Sequence, residues 1–81
     1  MKTEDKLLAK IVTNPKIMAG KPILKGTRIT VELVLRLLAQ GLSCEEILKD
    51  YPHLTKEDIR AVLLYAAKVA GEEEIYPITV T

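Results

Sequence analysis

Apolar side chains dominate the stretch from Val31 to Leu38, where Glu32, Arg36 and Gln40 recur at every fourth position and so form one narrow polar stripe on a helix. A helix that is apolar over the rest of its surface is normally covered on several sides. Val31, Leu33, Val34, Leu35, Leu37 and Leu38 are therefore expected to form the hub of the core. Thr30 offers an N-cap hydroxyl, and Gly41 stops the helix as a C′ glycine would.

Two further helix starts share one grammar, Leu42-Ser43-Cys44-Glu45-Glu46-Ile47 and Leu54-Thr55-Lys56-Glu57-Asp58-Ile59. Each has a hydroxyl at the N-cap, an acid at N3 and a Leu at N′ that can staple the Ile at N4. Asp58 is shorter than the usual Glu or Gln and is expected to cap less well. The first of these helices ends near Asp50, because Pro52 pushes Tyr51 out of helical angles. Only Tyr51 to Leu54 separates it from the next, a connection that fits helix-turn-helix geometry.

Along the last helix the spacing of Ile59, Val62, Leu63, Ala66, Ala67 and Ala70 predicts a core-facing stripe. Lys56, Arg60 and Lys68 take the opposite side together with Leu64, which has Ala61 and Tyr65 on its flank and makes a candidate contact patch. Past Gly71, a run of three glutamates leads into Ile75-Tyr76-Pro77-Ile78-Thr79-Val80-Thr81, a strand-like tail too short to stand alone. It is expected to pair with the N-terminal strands, with a second copy or with another protein.

The N-terminal third is less periodic. Residues 1–10 read as a flexible end with at most a helical turn, Ile11-Val12-Thr13 as a strand, Asn14-Pro15 as a turn and Lys16-Ile17-Met18 as a second extended piece. The segment from Gly20 to Thr30 reads as an extended basic arm. Pro22 bars Lys21 from the helical region, and Gly26 permits a tight or left-handed backbone before Thr27 and Arg28. The pattern as a whole predicts a mainly α protein: a three-helix, helix-turn-helix-like domain over 11–70 with a short N-terminal β arm, and a separate tail over 71–81.

Charge sharpens this division. The chain carries +1 overall, but residues 1–36 carry +5 and residues 37–81 carry −4. From Lys10 to Arg28 there are five cations and no anion. At 81 residues, a single domain buries roughly 60% of its unfolded surface and gains from a partner, so a homodimer is expected. A lone cysteine excludes an internal disulfide. The absence of a long apolar run or an apolar leader points to a cytoplasmic protein with no membrane partner.

Catalytic chemistry finds little to work with. Gly20-Lys21 and Gly26-Thr27 invert the order of a Walker loop, which opens a helix directly with its Lys-Ser/Thr, and Pro22 removes a backbone donor. His53 and Cys44 do not make up a metal ligand set, and the acids serve as caps or as a solvated run. No enzyme activity, cofactor, metal or small-molecule substrate is expected. The basic segment and the helix pair instead nominate Lys10, Lys16, Lys21, Lys25 and Arg28 for phosphates, with Thr27 beside them in the arm. Thr55, Lys56 and Arg60, with Glu57 beside them, are the candidates for a DNA groove.

Two stretches carry a resemblance. Pro22 to Thr30, with its Gly26-Thr27-Arg28-Ile29 step, and Gly41 to Ile59, with Glu45-Glu46-Ile47-Leu48 leading into Tyr51-Pro52, resemble the small bacterial and archaeal family called domain of unknown function 433 over roughly Ile11 to Ala70. That resemblance implies a helix-turn-helix-like fold and the role of an antitoxin whose toxin is a PIN-like ribonuclease. It brings no catalytic residues. Together, these readings lead to the expectation of a dimeric DNA-binding antitoxin that represses its own operon. Leu64, Tyr65, Ile75, Tyr76, Ile78 and Val80 would meet the toxin, and operator DNA would meet the cations. The alternative is a protein–protein adaptor with no DNA role, its basic arm resting on an acidic protein surface.

Overall fold

The computed structural model describes residues 3–72. Within them the chain runs α1 (Thr3–Leu8), β1 (Ile11–Val12), β2 (Ile23–Leu24), α2 (Val31–Ala39), α3 (Cys44–Asp50) and α4 (Lys56–Glu72). The protein is mainly helical, with one small antiparallel sheet in which Ile11 faces Leu24 and Val12 faces Ile23. There is one helix more than the pattern predicts. Residues 3–8 form α1 and bury Leu7, and α1 lies along α4, where Glu4 and Lys68 approach to 3.8 Å.

The capping grammar is realised in full. The Thr30 hydroxyl accepts from the Leu33 N–H at 3.0 Å. Ser43 and Glu46 exchange both bonds of a capping box, and Thr55 and Asp58 do the same at 3.2 and 2.9 Å, so the shorter Asp58 closes its box as well. At the end of α2, Gly41 has φ +96°, and the N–H groups of Gly41 and Leu42 return to the carbonyls of Leu38 and Leu37, the paired bonds of a Schellman stop.

The segment read as an arm is anchored in the core. Ile23 and Leu24 are 2% and 1% exposed, and β2 is held on both sides. β1 flanks one edge. On the other, the Leu24 N–H donates to the Ile29 carbonyl at 2.9 Å and Ile23 bridges to Thr30. The extended piece expected at Lys16-Ile17-Met18 ends early, since Met18, Ala19 and Gly20 all take positive φ, at 52°, 56° and 79°. Asn14 closes the turn before it by accepting the Lys16 N–H on its side chain and the Ile17 N–H on its carbonyl, and the N–H groups of Gly20 and Lys21 then return to the carbonyls of Ile17 and Met18. Lys21 then resumes an extended conformation, as Pro22 requires.

Leu24, Val31, Val34, Ile47, Leu54, Ile59 and Val62 form the buried cluster that joins the sheet to three helices. Two expectations about helix faces need correction. In α2, Val31 and Val34 are fully buried, while Leu33, Leu35, Leu37 and Leu38 are only half-buried, so the helix is not covered on all the sides its sequence suggests. In α4, Ala61 is fully buried and Leu63 is 48% exposed, with Ala67 and Ala70 also at the surface. The buried arc is rotated toward Ala61 and Tyr65 because α1 and β1 pack on α4 in addition to α2 and α3. A stripe drawn for a three-helix packing misses that fourth side.

Candidate nucleic-acid interface

The cations nominated by the sequence divide into tied and untied groups. Lys21 Nζ lies 3.0 Å from Glu32 Oε1, and Glu32 Oε2 receives Arg36 Nη2 at 2.8 Å, forming an exposed triad on α2. The two cations hold the Glu32 carboxyl below its ordinary range, the Lys21 hydrogen bond first and Arg36 second. Lys10 reaches Asp58 at 3.5 Å, where Asp58 also caps α4. Lys16, Lys25, Arg28, Lys56 and Arg60 are exposed, and among the described residues no carboxylate lies within ion-pair distance of any of them.

Lys25 and Arg28 flank the tip of a tight hairpin. The Thr27 N–H donates to the Leu24 carbonyl at 3.0 Å across Gly26, whose φ of +80° suits glycine alone at low cost. The Thr27 hydroxyl donates to the Leu24 carbonyl at 2.7 Å and accepts the Ile29 N–H at 3.0 Å. Thr27 therefore spends its polar atoms inside the turn, and its placement suits holding Arg28 outward rather than meeting a ligand. The Lys25 N–H donates to the Lys10 carbonyl at 2.8 Å, which fixes the tip against the end of α1.

This brings part of the predicted set together. Lys25 lines a surface cavity of about 500 Å³ with Lys6, Lys10, Glu57 and Asp58, so the hairpin tip stands beside the first turn of α4. Thr55, Lys56 and Arg60 are exposed on that helix start, although the Thr55 hydroxyl already accepts the Asp58 N–H. Arg28 lines a second cavity, with Asn14, Ile17 and Gly26. Lys21 lies apart, with its side chain against Glu32 of α2. Lys6 is the member the sequence reading passed over, and its signal was the Lys6/Lys10 spacing of one helical turn next to a basic segment.

The proposed partner-binding residues are less united. Tyr65 packs on the rim of the core and lines a cleft of about 320 Å³ with Leu8, Ile11 and Val69, while Leu64 is half-buried. Ile75, Tyr76, Ile78 and Val80 lie outside the described residues. Cys44 is half-buried against the core, and His53 is exposed in the turn between α3 and α4. Among the described residues no group of three or more His, Cys, Asp or Glu is arranged to hold a metal, and no helix is long and apolar enough to cross a membrane.

Residues 11–66 match the family described as a protein of unknown function, DUF433. The chain belongs to the DUF433 family. It is 38% identical over 56 residues to the uncharacterized protein y4eO of Sinorhizobium fredii strain NBRC 101917 / NGR234, a match that covers 69% of this chain and 25% of that protein. The chain thus spans about a quarter of the curated relative's length. A DUF433 member from Anabaena variabilis ATCC 29413, solved by crystallography at 2.00 Å resolution, superposes with a TM-score of 0.74 at 29% identity, over 84% of this chain and 67% of that one. The DUF433 match starts at the first strand and takes in the anchored hairpin, α2, α3 and the first part of α4.

Proposed function

We propose that this DUF433 protein binds DNA as a homodimer, acting as an antitoxin that represses its own operon and neutralises a PIN-like ribonuclease. The observation that carries the DNA part is the pair of exposed cations at the hairpin tip. Lys25 and Arg28 have no carboxylate partner among the described residues, and Lys25 stands beside the N-terminal turn of α4 with its exposed Lys56 and Arg60. A helix N-terminus presents partial positive charge, and cations grouped around one favour phosphate. In this reading α3 and α4 act as the helix pair, with α4 toward the groove, while the hairpin tip holds the backbone. No catalytic step is required of any residue.

The toxin part rests on the family resemblance and on the apolar tail, with Leu64 and Tyr65 as the nearest described contact residues. Occlusion by strand addition or groove filling would be the mechanism. The adaptor reading draws support from Glu57 and Asp58, which put anions among the cations at the start of α4.

Titration of the purified protein against its own promoter DNA at two salt concentrations separates the two. A repressor binds with an affinity that falls steeply with salt, whereas an adaptor gives no binding or binding indifferent to salt. For the toxin, co-purification of the neighbouring gene's product with a chain truncated after Gly71 is expected to fail where the full chain succeeds. An undiminished complex would remove the tail from the clamp.

A further inference from the structure

α1 runs antiparallel to α4, as the Glu4–Lys68 and Lys10–Asp58 pairs show, and the cleft of about 320 Å³ beside them opens toward the end of α4. Leu8, Ile11, Tyr65 and Val69 make it apolar, and Lys68 is its one charged lining residue. The cleft runs from Val69, which is 36% exposed and lies one turn before α4 ends at Glu72, back to Ile11 of β1. Ile11 also carries an open backbone edge. The Lys25 N–H donates to the Lys10 carbonyl, and alternate residues of an antiparallel ladder turn opposite ways, so the N–H and carbonyl of Ile11 point away from β2. Among the described residues no backbone group bonds to either of them.

We infer that Ile75 to Val80 of the same chain, which lie outside the described residues, fill this cleft as a strand added to the outer edge of β1. Connectivity favours this occupant. α4 delivers the chain to the mouth of the cleft, and Glu73 and Glu74, the only charged residues from 73 to 81, make the return beside Lys68. From Glu72 back to Tyr65 is about 10 Å along the helix, whereas Ile75 to Val80 spans about 17 Å when extended, enough to pass Tyr65 and reach Ile11. A segment tethered this closely acts at an effective concentration in the millimolar range, which a separate chain does not match. The residue pattern agrees. In an extended chain Tyr76, Ile78 and Val80 share one face while Pro77, Thr79 and Thr81 share the other, so one side is apolar and one suits water. Pro77 has no N–H to give a sheet interior, but with Tyr76 and Ile78 paired to β1 it falls on the unpaired side of an edge strand. The inference concerns the protein without DNA or toxin and goes beyond both readings. A toxin that binds the same segment must first draw it out of the cleft.

Amide hydrogen exchange of the full chain, followed by NMR without DNA or toxin, tests this. The Ile11 N–H is expected to exchange about tenfold or more slowly in the wild type than in Ile78→Asp. Methyl groups of Ile78 or Val80 are expected to show nuclear Overhauser contacts with the Tyr65 ring. Val69→Asp, at an exposed position, should release the tail to the same degree while melting as a folded protein. Thr79→Asp, on the opposite face of the strand, should leave the protection of Ile11 unchanged. That protection should also be constant over roughly a hundredfold range of protein concentration. An Ile11 N–H that exchanges alike in wild type and Ile78→Asp, missing Overhauser contacts, or equal loss in Thr79→Asp would each overturn the docking. Protection that rises with concentration would give the cleft to the tail of a second copy and overturn the assignment to the chain's own tail. Promoter titration reads the DNA proposal separately, since a docked tail is compatible with either result there.

Discussion

Lys21 and Arg28 sit at the two ends of one basic segment and have opposite surroundings. Lys21 follows the left-handed turn at Met18–Gly20 and is drawn onto α2 by Glu32, which it shares with Arg36. Arg28 follows the turn at Gly26 and stands off a hairpin whose Thr27 hydroxyl bonds only within the turn. Equal charge in sequence thus becomes structural charge at one end and available charge at the other. The difference is set by what the neighbouring turn presents. One sets Lys21 against a helix with an acid in its first turn, and the other sets Arg28 beside a Thr that folds its own hydroxyl inward.

If that contrast is right, perturbing the turn should cost stability and perturbing its outward cations should not. The largest effect is expected for Thr27→Val, which leaves the Leu24 carbonyl and Ile29 N–H without their side-chain partner and should cost about 2 kcal/mol in urea unfolding. Gly26→Ala should cost about 1 kcal/mol by the same measurement. A methyl there meets open space, so the loss is only that of holding an L-residue at φ +80°. A cost near zero for both would mean that the tip is not held as described.

Lys21→Ala should cost less than about 0.5 kcal/mol, diminish with added salt and leave DNA affinity unchanged, because the pair is exposed and already satisfied. A DNA-binding defect in Lys21→Ala would place both ends of the segment in one interface. The smallest effect is on the acid side. Glu32 and Glu46 are both held below their ordinary value of 4.5, Glu32 by Lys21 and then Arg36, Glu46 by the backbone N–H and then the hydroxyl of Ser43. Their contribution is therefore present above that value and lost as pH falls through the lower folded values. Melting curves of wild type and Lys21→Ala should accordingly converge as pH drops from 6 toward 3. A gap that widens would contradict the Lys21–Glu32 pair.

Much of this was legible before the fold was seen, because local bonds determine it. Thr30, Ser43 with Glu46, Thr55 with Asp58, and Gly41 each act within a turn of their own position, and each does what its residue type suggests. What the pattern misjudged depends on distant packing. Leu63 looked buried and Ala61 open because the cover supplied by α1 comes from a terminus with no clear period of its own. The arm looked displayed because Ile23 and Leu24 carry no sign of β1 on one edge and the Ile29–Thr30 segment on the other, which hold them in the core. At the candidate interface, charge sign was legible residue by residue, but which cations are neutralised was not. Lys10 finds Asp58 and Lys21 finds Glu32 only through the tertiary fold.

The central claim is that the untied cations at the hairpin tip meet phosphate. The salt dependence of promoter binding by wild type and by the double variant Lys25→Ala/Arg28→Ala, both checked for unchanged melting, tests it directly. The account predicts weaker binding by the variant and a log–log salt slope reduced by roughly 0.9 for each lost contact. Equal affinity and equal slope in the folded variant would contradict it.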